Sequence, residues 1–337
     1  MPVPQVTVVI PTLVADSALD DCLRALGEQT FRNFEVIVVD NSGNGLARRS
    51  ASIIAGTVVI DNPANVGFGA AINQGCIASR ARYLATLNDD AVPHPGWLAA
   101  LTSALEARPD AGMAASRILL SGTGRLDSAG MLVCADGSSK QRGHGELPTR
   151  FPDPEEALFP SACAALYRRS MLEDTEGFDE DFFLYSEDTD LGLRARWAGW
   201  KCLYVPGAVV EHRYSHSAGR ASPLKAYYVE RNRLFVIAKS FPLPALCRAP
   251  FVAFARYFWH AWFLLRGRGT AARFREEGHG ALRLAWYILS AHVALVVRAR
   301  SLWKKRREIR DGARITTAEF LRLLRVHSIS AREVASL

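Results

Sequence analysis

No two cysteines fall at CxxC spacing in this chain of 337 residues. The six present, at 22, 76, 134, 163, 202 and 247, are scattered, which argues against a disulfide framework or a zinc site and fits a reducing compartment. No basic n-region or cleavage site precedes the first apolar run at Val6–Ile10, so no signal peptide is expected. No apolar stretch reaches the about 20 residues that a membrane span needs. No internal repeat is visible, and the formal charge of +7 is moderate. The aromatic residues near the basic C-terminal run follow no nucleic-acid-binding pattern, so nucleic acid is not an expected partner.

What is present is an alternation of strand and helix patterns. "VTVVIPTL" (6–13) is a β-branched run stopped by Pro11, and Leu19, Cys22, Leu23 and Leu26 then recur at helical spacing. "FEVIVVDNSGNG" (34–45) and "GTVVIDNPANVGFG" (56–69) each hold a strand that ends in acidic and glycine-rich turns. "AAINQGCIASRA" (70–81) predicts a helix, "YLATLNDDA" (83–91) a fourth strand, and "GWLAALTSALEARPD" (96–110) another helix. Such alternation predicts βαβ units, a mostly parallel sheet and an α/β fold. Residues 115–155 show no clear period, and 135–146 reads as an exposed hairpin or loop. Order returns as a strand near 163–168, a helix over 188–200 and strands over 201–212. From about 222 the pattern is helical.

The end of the fourth strand poses a chemical question. Asn88, Asp89 and Asp90 close an apolar strand, and adjacent carboxylates repel. Two readings are open: a solvated turn before Pro93, or a metal site at the carboxyl edge of an open α/β sheet. Asp40, the Asn65–Gly67–Gly69 loop, "YSEDTDLGLR" (185–194) and His212 are further clusters that can share that edge.

Taken in order, "VVIPTL", "VVDNSGNG", "NPANVGFGAAINQG", "LNDDA", "GFDEDFFLYSEDTDLGLRARWAGW", "VVEHRYSHSAG" and "YYVERNRLFVIAKSFP" resemble the family 2 inverting glycosyltransferases, which have a GT-A fold. The match runs from about residue 6 to 240 and is most like bacterial rhamnosyltransferases. The resemblance implies a nucleotide-sugar donor and Mg²⁺ or Mn²⁺, ions that favour oxygen ligands and, for Mn²⁺, accept imidazole. It implies Asp90 and His212 as metal ligands, with Asn88 standing where a strict DxD motif has its first Asp. It implies Asp188 as the base that takes the acceptor proton, with Glu187 binding or orienting the acceptor. Asp190 is expected to support the helix start or pair with Arg194, one turn on. Donor contacts are expected from Pro11, Thr12, Asp40, Asn65, Gly67, Asn88 and Asp89. The Gly67 loop would let backbone approach the nucleotide. Arg231 and Asn232 either reach the diphosphate or acceptor, or form a helix surface pair.

Two apolar stretches, 249–265 and 284–297, are rich in Trp, Tyr and Phe but too short to span. Eight Lys or Arg follow between Arg298 and Arg314. Helices lying on an anionic membrane surface are one expectation, and a helical domain or homo-oligomer interface is the other. The expected division is a catalytic domain over 1–221 and a helical, membrane-associating region over 222–337. The enzyme is expected at the cytoplasmic face of the plasma membrane. The expected reaction is L-rhamnosyl transfer from a dTDP donor to a glycan or polyprenyl-diphosphate-linked acceptor in cell-envelope synthesis. A UDP-sugar transferase, galactofuranosyl or N-acetylhexosaminyl, is the alternative within the class, and a nucleotidyltransferase the alternative outside it.

Overall fold

The computed structural model describes residues 3–213, 223–267, 269, 274 and 281–336. The tail of the "VVEHRYSHSAG" motif and the expected division at 221/222 fall outside the described residues. The chain forms two compact units. The first comprises Met1–Met131, Gln141–Ala195 and Trp200–Ser217, and the second Leu132–Lys140, Arg196–Gly199 and Ala218–Leu337.

The strands of the main sheet begin with β1 (Val6–Thr12), β2 (Phe34–Asp40), β3 (Val58–Asp61) and β4 (Tyr83–Leu87). All four lie side by side in the order β4-β1-β2-β3 and run parallel. Their β-branched residues explain this half of the sheet: strands covered on both faces favour continuous apolar runs, and Val6, Val8, Val9 and Ile10 are all buried. Helix α1 (Ser17–Gly27) starts where the Asp16 carboxylate accepts the Ala18 N–H, and Leu19, Cys22, Leu23 and Leu26 form its buried stripe.

The expected single strand over 83–91 is two strands. The chain leaves β4 at Leu87, turns through Asn88–Asp90, and enters β5 (Ala91–Pro93). The stretch read as irregular holds β6 (Ala111–Leu120) and β7 (Arg125–Ser128), plus the small pair β8 (Met131–Val133) and β9 (Ser139–Gln141). The three alanines and one glycine of β6 carry little strand propensity, and burial between neighbours selects the conformation instead. The hairpin expected to be exposed is not: Asp136 and Ser138 are buried. The remaining strands are β10 (Glu155–Ala157), β11 (Ala164–Arg168) and β12 (Lys201–His212). β11 runs antiparallel between β4 and β6, β12 pairs parallel with β6, and β5 pairs antiparallel with the end of β12.

Beside β1, helix α2 (Ala47–Ser50) is a single turn, while α3 (Phe68–Ala78) packs on the sheet. At Gly75 of α3 an added Cβ would lie 2.5 Å from a Val9 methyl. Helix α4 (Trp97–Ala107) buries Trp97, Leu98, Leu101 and Leu105, and α5 (Arg169–Asp174) follows β11. Helix α6 (Glu187–Trp197) ends the insert before β12.

The second unit is helical: α7 (Pro223–Ser240), α8 (Leu243–Leu265), α9 (Ala281–Val297), α10 (Ala299–Asp311), α11 (Thr317–Val326) and α12 (Ala331–Ser336). Trp197 stacks on Phe320 with centroids 4.0 Å apart, and the Arg310 guanidinium covers the Trp197 ring at 3.7 Å. Inside the unit a buried polar network gathers. Asp136 accepts from Arg256 Nε at 2.6 Å, Arg256 Nη2 donates to Glu230 at 2.8 Å, and Arg233 and Tyr257 both donate to the other Glu230 oxygen. The charge of Arg256, set in an apolar stretch, is therefore matched internally, and its pKa is raised despite burial, chiefly by Glu230 and Asp136.

Because α3 lies so close to β1, Gly75→Ala should overpack the first unit and lower stability by about 1–3 kcal/mol. Urea unfolding of parent and variant measures this, and an unchanged midpoint would contradict the packing.

Candidate active site

The parallel half of the sheet brings its strand ends to one edge. Register pairs Thr12 with Asp40 and Asp40 with Asp61, and β4 reaches the same edge beside β1. Pro11 and Thr12 close β1 there. The Thr12 hydroxyl donates to Asp89 Oδ2 at 2.7 Å, and Thr12 O accepts the Asn41 N–H. Asp40 is buried, and its oxygens accept the N–H groups of Ser42 and Ala47, each at 2.8 Å. Burial opposes ionisation, but these bonds outweigh it and hold the Asp40 pKa below the usual value. Asp40 thus shapes its own turn with both oxygens.

The glycine-rich loop does something the motif did not suggest. Asn65 Oδ1 accepts the Gly67 N–H at 2.9 Å, and Gly67 has φ +91°. A Cβ on Gly67 would sit 2.4 Å from the Phe183 carbonyl oxygen, and that oxygen accepts the Phe68 N–H at 2.8 Å. At Gly69 a Cβ would lie 3.1 Å from Phe178 Cβ and 3.9 Å from Glu187 Cβ. The bare backbone at the start of α3 therefore receives the segment leading into α6, where Phe183, Tyr185 and Ser186 all have positive φ.

That segment delivers Glu187 and Asp188. Glu187 is buried, and its Oε2 has no hydrogen-bond partner. Asp188 Oδ1 accepts the Thr189 N–H at 2.6 Å, and its Oδ2 the Ala162 N–H at 3.4 Å. Burial raises both carboxyl pKa values, and for Glu187 the Asp188 charge adds to it. Asp188 collects the Ala162 and Thr189 N–H groups, whereas Glu187 has only its own backbone N–H, so Glu187 is the member that holds its proton more strongly. Asp190 accepts from Arg194 Nε at 2.7 Å, as the spacing predicts, and Arg194 Nη2 reaches Gly177 O at 2.8 Å. This ion pair ties the start of α6 to the turn that precedes it.

Asp90 and His212 meet across the β5–β12 ladder, where His212 pairs with Ala91. His212 Nε2 lies 3.2 Å from Asp90 Oδ1, and Nδ1 lies 2.8 Å from Asp127 Oδ2. Asp127 Oδ1 is 3.1 Å from His144 Nδ1. Burial alone would lower the His212 pKa, but Cys163, Asp127 and Asp90 raise it well above the ordinary value. The surroundings of the ring favour positive charge, and a carboxylate oxygen with an imidazole nitrogen suits Mn²⁺ or Mg²⁺. Among the described residues no group of three or more His, Cys, Asp or Glu is arranged as a full coordination shell. A cation here would use these two ligands and complete its shell from elsewhere, as hard cations that keep water or substrate oxygens do.

The two clusters are joined by the chain before β11. Asn88 N donates to Cys163 O at 2.8 Å, and Ala162 N donates to Asp188. Thr12, Asp89, Asp90, Glu187, Asp188 and His212, which sequence reasoning assigned to one site, all lie in the first unit. Arg231 and Asn232 lie in the second unit. There Arg231 Nε donates to Asn232 Oδ1 at 2.8 Å, and Asn232 is buried instead of forming a surface pair. Asp127, His144 and the Ala162–Cys163 backbone went unnoticed. Asp127 and His144 lie in a segment without clear period, and nothing in sequence spacing points to them or to the Ala162–Cys163 backbone.

Comparison with known proteins bears on the family and the fold. The family model described as glycosyl transferase family 2 matches residues 7–175. The N-acetylglucosaminyl-diphospho-decaprenol L-rhamnosyltransferase of Mycobacterium tuberculosis is 30% identical over 236 residues, covering 62% of this chain and 77% of that protein. The pre-mycofactocin glycosyltransferase of the same organism is 31% identical over 247 residues, covering 69% of this chain and 50% of that protein. Among solved structures, the mannosyltransferase PcManGT from Pyrobaculum calidifontis, in complex with GDP-Man and Mn²⁺, aligns with TM-score 0.52 at 17% identity, over 93% of this chain and 86% of that one. GalNAc-T7 with UDP, GalNAc and Mn²⁺ aligns with TM-score 0.58 at 14% identity, over 88% of this chain and 58% of that one. The fold is GT-A, with C-terminal helices beyond it.

The raised pKa of Glu187 has a thermodynamic sign. Its protonated form is favoured by folding, so its contribution is full below the unfolded value of about 4.3 and is lost as pH rises through the folded value. Glu187→Gln, which stays neutral, should gain stability relative to the parent between about pH 5 and about pH 8. Chemical denaturation at both pH values tests this, and a pH-independent difference would refute the raised pKa.

Proposed function

The chain belongs to glycosyl transferase family 2, and on that premise we propose that it transfers L-rhamnose, with inversion, from a dTDP-linked donor to a lipid-linked glycan. One observation carries the chemistry: a cation-favouring pair, Asp90 and His212, and a split carboxyl pair, Glu187 and Asp188, are tied to one stretch of backbone at Ala162–Cys163. Likeness to a protein named as an N-acetylglucosaminyl-diphospho-decaprenol L-rhamnosyltransferase supports the sugar and the kind of acceptor.

Asp188, ionised and oriented by the Ala162 and Thr189 N–H groups, takes the proton of the acceptor hydroxyl as that oxygen attacks the anomeric carbon. The new glycosidic bond forms as the bond to the diphosphate breaks on the opposite face of the sugar, which inverts the centre. Glu187, keeping its proton, donates a hydrogen bond to acceptor or sugar. Asp90 and His212 would hold Mg²⁺ or Mn²⁺, which stabilises the departing diphosphate as a Lewis acid. Thr12 orients Asp89 at the donor edge, and Arg231 and Asn232 are assigned to the diphosphate or acceptor by the family motif alone.

The second unit supports attachment to a membrane surface. Phe251, Phe254, Phe258, Trp262 and Leu265 form one exposed stripe along α8. Leu282, Trp286, Leu289, Val293 and Val296 form another along α9. Both follow helical spacing, and Arg256 is turned away from the first stripe into the buried network. Among the described residues no single helix is long and apolar enough to cross a bilayer, and the one combination that qualifies, α9 with α10, is bent by 66°. At that bend Arg298, Arg300, Lys304 and Arg307 line an open cleft of about 940 Å³ with Val297 and Trp303. Apolar stripes beside this charge suit an anionic lipid surface, at about 1 kcal/mol per basic residue near the headgroups. Arg306, of the same basic run, is instead buried and donates to Ala238 O at 2.9 Å. The attachment is placed on the cytoplasmic leaflet, where nucleotide sugars are made.

With purified protein, Mn²⁺ and a panel of nucleotide sugars, release of dTDP from dTDP-rhamnose should dominate, and chelator should abolish it. Asp188→Asn should retain donor-dependent Mn²⁺ binding yet lose at least about 100-fold in transfer, the usual size of a general-base effect. Rapid transfer by this variant would remove Asp188 as the base, and preference for a UDP-sugar would replace the donor assignment.

Flotation with liposomes should show binding that rises with anionic lipid and falls with salt. Charge reversal at Arg300, Lys304 and Arg307 should release the protein and spare transfer to a soluble acceptor. A parent protein that stays unbound at low salt would make the stripes an interface between copies.

A further inference from the structure

The geometry points to Asp127 as the positioning residue of His212, and to His144 as the residue that fixes Asp127, for a divalent cation held by His212 and Asp90. This rests on the metal-assisted reading of the site given above.

An imidazole offers a metal one lone pair, and the partner of its other nitrogen decides which one. His212 Nδ1 lies 2.8 Å from Asp127 Oδ2, while Nε2 faces Asp90 Oδ1 at 3.2 Å. An ionised carboxylate only accepts, so Nδ1 keeps its hydrogen toward Asp127, and the Nε2 hydrogen that faces Asp90 is the one a bound cation would displace to solvent, taking that lone pair. Asp127 is buried, so its bond to the ring is shielded from competing water. Its second oxygen is taken by His144 Nδ1 at 3.1 Å, which stops the carboxylate rotating away. The ladder fixes the relation: β7 pairs with the end of β6, and β6 pairs Leu120 with His212. Asp127 and His212 therefore face each other across one strand. Nothing in this arrangement places Asp127 or His144 against substrate, so each acts through His212.

The experiment is Mn²⁺ titration by calorimetry of the full chain with dTDP, joined to pulsed EPR of the bound Mn²⁺ for ¹⁴N coupling from an imidazole. The parent should bind Mn²⁺ and show the coupling. Asp127→Ala should weaken binding about 10–100-fold, the range for removing an outer partner of a metal-bound histidine, and should lose the coupling. Asp127→Asn keeps an acceptor without the charge and should fall between. His144→Ala should weaken binding about 10-fold or less and keep the coupling. A merely structural role would lower stability and leave affinity and coupling as in the parent.

If Asp127→Ala binds as the parent does while Asp90→Ala does not, the positioning role is overturned and the metal reading stands. A parent that does not bind Mn²⁺ overturns both. Should Asp127→Ala fail to fold, the isosteric Asp127→Asn decides, and parent-like affinity with full coupling in that variant overturns the inference.

Discussion

Three residue pairs at the end of one ladder organise the first unit. Val210 with Pro93, Glu211 with Val92 and His212 with Ala91 join a three-residue strand to the last turn of a twelve-residue one. The pairing forces the chain to leave β4 and cross to β12, so Asn88–Asp90 becomes a polar crossing instead of a strand end. It also sets Asp90 against an imidazole that Asp127 grips from the other side. Two acidic residues in sequence are tolerable because each has its own partner: Thr12 for Asp89 and His212 for Asp90. Slipping this short antiparallel register by one residue would turn His212 to the opposite face of the sheet.

The carboxyl pair at the start of α6 is governed by a different asymmetry. Glu187 and Asp188 are neighbours in sequence and both are removed from water, so their difference comes from the groups around them. Backbone N–H donors collect on Asp188, while one Glu187 oxygen faces none. Main-chain geometry thereby separates the proton affinities of two similar acids, as when burial and hydrogen bonding separate two carboxyl groups elsewhere in enzymes.

The legible parts of the sequence were those with a local cause. β-branched runs marked β1 to β3 and a short apolar run marked β4, apolar spacing marked α1 and α4, and one-turn spacing marked the Asp190–Arg194 pair. Gly67 was read as letting backbone approach the nucleotide, and its φ of +91° and missing side chain are used here to receive the Phe183 carbonyl, more than a hundred residues along the chain. β6 was missed because alanine carries no strand signal and burial had to supply one. Asp127 was missed because its importance exists only once β7, β6 and β12 lie side by side. Arg256 lies inside the apolar stretch 249–265. Its partners, Asp136 and Glu230, lie on other elements, and no spacing along α8 reveals that the charge points inward.

The run of positive φ at Phe183, Tyr185 and Ser186 has an evolutionary reading. Non-glycine residues in that region of backbone space carry a cost of order 1–3 kcal/mol each, sustained only where surrounding structure insists on it. Random drift under selection for robustness alone would replace them with glycine or asparagine, since most proteins have such stabilising steps within reach. Their side chains therefore hold these positions against a standing pressure toward relaxation. The four residues before Glu187 form a small reservoir of frustration, and a lineage in which the surrounding structure no longer demanded it would shed it there first.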